Sequence, residues 1–146
     1  MLNLKQRLRL LNRLKQYMQG NDEEWARARQ AAAQQNAWFT DEFINNAVQS
    51  IARHLLGEDD LLLWVEQYNV PQHNNTPANI GIAMAGNIPL VGFHDFLCTF
   101  ITGNKQSIKL SARDSVLLKH LTGKLTEWDN EAAGYIEYRE TLKGCD

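Results

Sequence analysis

The sequence predicts an α/β protein in which a helical N-terminal region, residues 1–70, packs on a partial parallel sheet carried by residues 71–146. Three observations lead there. The first half shows only the helical spacing of apolar residues. The stretch "VPQHNNTPAN", residues 70–79, then puts two prolines and three asparagines into ten residues and breaks that pattern. Beyond it, short apolar runs alternate with helical stretches, which is the pattern of strand–helix–strand units joined by right-handed crossovers.

Each element has its own signal. In residues 4–19, Leu4, Leu8, Leu11, Leu14 and Met18 recur at helical spacing, with Lys5, Arg7, Arg9, Arg13 and Lys15 expected on the wet face. A basic, acid-free start also fits a membrane-surface helix, but uncharged Asn12 and Gln16 on the polar face favour a packed one. "NDEEWARARQAAAQQ" opens with Asn21 or Asp22 as cap and acids in its first turn. "TDEFINNAVQSIARHLLG" starts after Thr40 and stops at Gly57, with Phe43, Ala47, Ile51 and His54/Leu55 marking its inner face. "EDDLLLWVEQYN" is a fourth, shorter helix.

Residues 80–85 read as the first strand. Residues 90–102 read as a helix with Pro89 in its first turn, Phe93, Phe96/Leu97 and Phe100/Ile101 inward, and Gly103 closing it. Residues 106–110 are the second strand. "SARD", residues 111–114, has capping-box spacing with Asp114 in place of the usual glutamate, before a helix that sets Leu117, Leu121, Leu125 and Trp128 on one face. "GYIEYRE", residues 134–140, is a third strand.

Composition narrows the function. The 146 residues suffice for a domain that removes about two thirds of its unfolded surface from water. Net charge is −2, unevenly spread: residues 1–57 carry eight Lys/Arg against five Asp/Glu, and residues 58–146 carry seven against twelve. That gives no electrostatic case for nucleic acid. Two cysteines make no disulfide framework, and Cys98 inside "FLCTF" reads as a small core residue, so a reduced, cytoplasmic protein is expected. Charges at positions 5, 7 and 9 interrupt any leader, and no apolar run is of membrane-spanning length. His54, His73 and His120 have no partner at metal-ligand spacing, so no metal site is expected. His94 and Asp95 point about 100° apart on a helix and form no acid–base pair. There is no G-x-G-x-x-G and no P-loop.

The strand ends carry the chemistry. Ligands of open parallel sheets bind outside the carboxyl ends of the strands. Asn87 follows the first strand end and Lys109 closes the second, and neighbouring strands lie about 5 Å apart. Beside a helix N-terminus, the Asn87 amide could donate to a developing oxyanion. By residue type alone, Asn87 also fits a turn or helix cap, Lys109 a solvated strand-end lysine, and Ser111 with Asp114 helix capping.

"GIAMAGNIPL…ITGNKQSIKLSARD" resembles the cofactor-domain signature of the aldehyde dehydrogenase superfamily. "AGNIPLVGFHDFLC", "KLS" and the closing "LKG" before Asp146 are similar to its acyl-CoA reductases of the bacterial luminescence type, over roughly residues 36–146. The resemblance implies a Rossmann-like cofactor domain over 71–146, present only in its first part. It implies that Asn87 holds the oxygen of the tetrahedral intermediate and that Lys109 binds the cofactor's adenosine ribose. Ser111 and Ala112 join Lys109 as cofactor-binding positions, and Gly103 with Asn104 shapes the turn into the second strand. Ala112 stands where many NAD-dependent members keep a ribose-binding glutamate; without that carboxylate, NADPH is the expected cofactor and NADH the alternative. The implied activity is reduction of a fatty acyl-CoA to aldehyde plus CoA through a thioester on a cysteine. Neither Cys98 nor Cys145 matches that cysteine, so the chain is expected to be an N-terminal portion without turnover of its own. The alternative is a non-catalytic interaction protein derived from the same half-domain. An unpaired sheet edge is expected to drive homo-oligomerisation.

Overall fold

The computed structural model describes residues 1–146. Helices α1 (Leu4–Gln19), α2 (Glu23–Gln35), α3 (Asp41–His54) and α4 (Glu58–Gln67) precede β1 (Asn79–Ala83), α5 (Phe93–Ile101), β2 (Lys105–Lys109), α6 (Leu117–Trp128), a 3-10 turn (Asn130–Tyr135) and β3 (Ile136–Tyr138). The sheet is parallel throughout with order β1-β2-β3, and Ala83 lies opposite Lys109. The α/β expectation holds, with strand positions within two residues. One continuous core joins the two halves of the chain, from Leu2 and Leu4 through Trp25 and Ile44 to Phe96, Ile108 and Tyr135. No helix is long and apolar enough to cross a membrane.

Local chemistry explains the helix starts. Asn3 and Gln6 form a reciprocal capping box on α1, Asp22 accepts from the Glu24 and Trp25 amides on α2, and Thr40 caps α3 through the Phe43 amide. On α3 the inner face is Ile44, Val48, Ile51 and Ala52. This corrects the expected face by one residue: Phe43 turns aside to meet Phe39 edge-on at 6.1 Å, and His54 is exposed.

Arg7 overturns a second expectation. It belongs to no wet face: it is 0% exposed, beneath the end of α5. Its Nε donates to the Ile101 carbonyl at 3.1 Å and a terminal nitrogen donates to the Leu2 carbonyl at 2.6 Å. A cation at a helix C-terminus meets the negative end of the dipole, and α5 has no basic residue of its own there. Gly103, at φ +75°, ends α5 where a Cβ would stand 3.0 Å from the guanidinium. Asn104 then accepts from the Ala78 amide and the Asn74 side chain, so the expected Gly-Asn turn is also what pins the proline-rich connection.

After β3 the chain turns over the face of the sheet opposite α5. A Cβ on Gly81 would meet Cys145 at 3.0 Å, and Asp146 pairs with Asn79 on β1 in both directions. Ala78 and Met84 bond to β2, so Gly81 and Ala83 direct their backbone groups outward along an uncovered edge.

Away from the sheet, His120 stacks on Trp25 and shares a 2.7 Å hydrogen bond with the Tyr17 hydroxyl. Burial, aided by Lys124, holds this imidazole below its ordinary value, against the opposing pull of Glu24, Asp22 and Glu127. With the folded value lowered, the unfolded chain takes up the proton first as pH falls. This contribution to stability is therefore complete above about pH 6.5 and declines below it. His120→Phe is expected to unfold at lower temperature at pH 7.5, yet with a shallower loss between pH 7.5 and 5.5, as thermal melts across that range would show.

Candidate functional site

The carboxyl ends of all three strands lie along one edge, as parallel order requires. The chain leaves β1 at Ala83 and makes a bend at Asn87 and Ile88, followed by a turn over Pro89–Gly92. Helix α5 begins only at Phe93, which corrects two expectations. Pro89 is in the turn rather than the helix, and Asn87 lies six residues ahead of the first helical position rather than beside it. The reason is Leu90, which takes φ +58° and so interrupts the helical path.

Asn87 is exposed, and its side chain makes no hydrogen bond within the protein. Its amide is free to donate, with exposed Ile88 and Val91 as apolar neighbours in the same loop. Lys109 closes β2 on the strand face shared with Ser107 and opposite Ile108. The ion pairs of the protein lie elsewhere, at Met1–Glu131 and at Lys124 with Glu24 and Glu127, so Lys109 is an uncommitted cation.

The loop from β2 to α6 departs most from expectation. Ser111 and Asp114 do not cap α6, which begins at Leu117 without a side-chain cap. Ser111 Oγ instead accepts from the Arg113 amide, within the loop. Asp114 is 7% exposed and reaches across to β1's loop, where one carboxylate oxygen accepts from the Leu90 amide at 2.7 Å. Burial raises this carboxyl above the usual range, and the Leu90 N–H draws it back down. On the other side, Gln35 holds Ser115 and Asn36 donates to the Arg113 carbonyl at 3.2 Å. Gly86 packs directly against Ser111 and Arg113, where any Cβ would overlap them.

Between the ends of β2 and β3 opens a cleft of about 270 Å³. Ser111, Ala112, Ser115, Lys119, Tyr138 and Arg139 are among the residues that line it. Lys119 sits 5.5 Å over the Tyr138 ring, whereas the Arg139 guanidinium turns to the C-terminal segment, donating to the Lys143 carbonyl at 3.1 Å and to the Cys145 sulfur at 3.8 Å. Neither cation has a carboxylate partner. Burial pushes the Tyr138 phenol up to about 12, so it remains a neutral donor, shared with Thr122 at 2.7 Å. Glu140 is the single acid on the rim.

Ser111 and Ala112 therefore share one cleft, while Lys109 borders the same edge from the opposite strand face. Lys119 and Arg139 escaped the sequence reading. The signal for Lys119 was present, since it lies near the start of a helix that follows a strand end; Arg139 became visible only with the end of β3. Cys98 is half-buried rather than core, with its sulfur 3.7 Å from a ring nitrogen of His94. Burial, and the nearby Asp95 charge, raise that thiol, which disfavours the nucleophilic thiolate.

No protein-family model, curated protein or solved structure matches the chain.

Proposed function

We propose that the carboxyl edge of the sheet is the adenosine end of an NADPH site, and that the chain supplies oxyanion and cofactor groups to a fatty acyl-CoA reductase. The observation that carries this reading is the cleft at Ser111 and Ala112, which the unpaired cation Lys119 also lines and where Ala112 brings no carboxylate to repel a 2′-phosphate. Lys119 holds that phosphate, Ser111 and Ser115 offer hydroxyl donors, and Lys109 reaches the ribose from the neighbouring strand end. Asn87, unbonded at the end of β1, donates its amide to the oxygen that becomes negative when a thiolate adds to the thioester carbonyl. Neither Cys98, whose thiol burial pushes up, nor Cys145, packed on Gly81, is assigned as that thiolate. Bound NADPH supplies the hydride that converts the acyl group to aldehyde.

The cofactor half of the proposal can be tested without turnover. Titration of the 15N-labelled chain with 2′,5′-ADP is expected to move the amides of Ser111, Ala112 and Lys119, with an affinity about tenfold above that for 5′-ADP, equivalent to about 1.4 kcal/mol. Lys119→Ala is expected to erase that preference. Equal affinities for the two nucleotides would defeat the NADPH assignment.

The uncovered edge at Gly81 and Ala83 supports a second reading, a non-catalytic protein that associates with its own copy by strand addition. Concentration-dependent dimerisation with no response to either nucleotide would favour it.

A further inference from the structure

Leu90 is a branched-chain residue held at φ +58°, a left-handed conformation costing about 1–2 kcal/mol that something must offset. Its amide points to a carboxylate 24 residues away, at 2.7 Å. That carboxylate, Asp114, is buried with no cation paired to it, and its second oxygen has no partner at all. A neutral side chain would spare the molecule a desolvated charge. What the carboxyl group provides is an acceptor 2.7 Å from one backbone N–H.

The two ends of that bond belong to the two loops of the candidate site. Leu90 follows Asn87 by three residues, and Asp114 follows Ser111 and Ala112 by three and two. The Asp114 loop is also tied from behind by Gln35 and Asn36, and it touches Gly86 in front. The Asn87 loop has no other side-chain hydrogen bond to hold it to that neighbour.

We propose that Asp114 is a positioning residue that couples the cofactor loop at Ser111–Ala112 to the Asn87 loop, so that filling the cleft is felt at the Asn87 amide. The coupling rests on the reading of this edge given above. Its physical carrier is one hydrogen bond, flanked by the Gly86 contact. Asp114→Asn keeps an acceptor toward Leu90 and retains the coupling. Asp114→Leu keeps the branching at Cγ, at somewhat greater bulk, and removes the acceptor.

The decisive experiment follows the Leu90 amide and the Asn87 side-chain NH2 by NMR while 2′,5′-ADP is added to wild type, Asp114→Asn and Asp114→Leu. In the first two, the shifts at Ser111 and Ala112 are expected to be accompanied by shifts at Leu90 and Asn87. In Asp114→Leu the Ser111 and Ala112 shifts persist and the other two are lost. Retention of the Asn87 response in Asp114→Leu would overturn the coupling. Should 2′,5′-ADP move no resonance, the cofactor reading fails, and the tie is decided by hydrogen exchange. The Leu90 amide should then exchange about tenfold faster in Asp114→Leu than in Asp114→Asn. Equal rates would overturn the tie. Asp114→Ala provides the same comparison if the leucine variant does not fold.

Discussion

Replacing Arg7 by alanine is expected to destabilise the protein by about 3–5 kcal/mol, lowering its melting temperature by about 10–16 °C. Three losses combine. The side chain is 0% exposed, so its removal opens a cavity in the core rather than a notch in the surface. The Ile101 carbonyl at the end of α5 loses its bond from Nε, and the Leu2 carbonyl keeps only the Tyr135 hydroxyl at 3.2 Å. A buried carbonyl left unpaired carries a desolvation penalty of about 1–3 kcal/mol. Arg7→Lys should recover less than half of the loss, because one ammonium cannot reach both carbonyls in the directions the planar guanidinium does. One terminal nitrogen of Arg7 is itself buried without a partner, so the wild-type site is already imperfect and the lower end of the range is attainable. Urea denaturation of the three proteins measures this directly. A loss below about 1 kcal/mol for the alanine variant would mean that the α1–α5 junction does not depend on the guanidinium.

Arg7 also shows where the sequence stopped being legible. Periodicity found the leucine stripe of α1, but a single cation inside the helix looks the same in sequence whether it meets water or the end of another helix. The same limit applies at the edge of the sheet. The strands and their parallel order were readable because an apolar run followed by a helix of matching length has few ways to fold. Asp114 was not, because a Ser-x-x-Asp spacing before an apolar helix is what a capping box looks like locally; only the position of Leu90, 24 residues earlier, reveals the carboxylate's actual partner. Gly103 was legible for the opposite reason. A left-handed glycine at a helix end is set by nearby chain, whereas the bonds of Asn104 to Ala78 and Asn74 span 26 and 30 residues. Asn87 follows the end of one strand and Lys109 closes its neighbour, yet the pairing of Ser111 and Ala112 with Lys119 arises only from long-range assembly.

Gly86→Ala is expected to have the largest effect on the candidate site itself. The glycine lies where the Asn87 loop crosses the Ser111 loop, and a Cβ there would stand 2.8 Å from the Ser111 Cβ and 2.9 Å from the Arg113 Cβ, and would overlap the Ser111 hydroxyl. Two of these atoms are anchored to the backbone, so no rotamer change relieves the overlap and the loops must separate. Overpacking of this kind costs about 1–3 kcal/mol. The separation also lengthens the Asp114–Leu90 bond, so the 2′,5′-ADP response at Asn87 should vanish with it. Ser111→Gly in the alanine background removes both serine atoms and leaves only the Arg113 contact. The double variant should therefore recover more than about 1 kcal/mol relative to the sum of the two single changes. That coupling, measured by denaturation and by the reappearance of the Asn87 shift, would establish that the two loops share one surface. A Gly86→Ala protein with unchanged stability and an unchanged nucleotide response would mean that they do not. The oxyanion amide and the cofactor cleft would then have to be treated as separate features of the sheet edge.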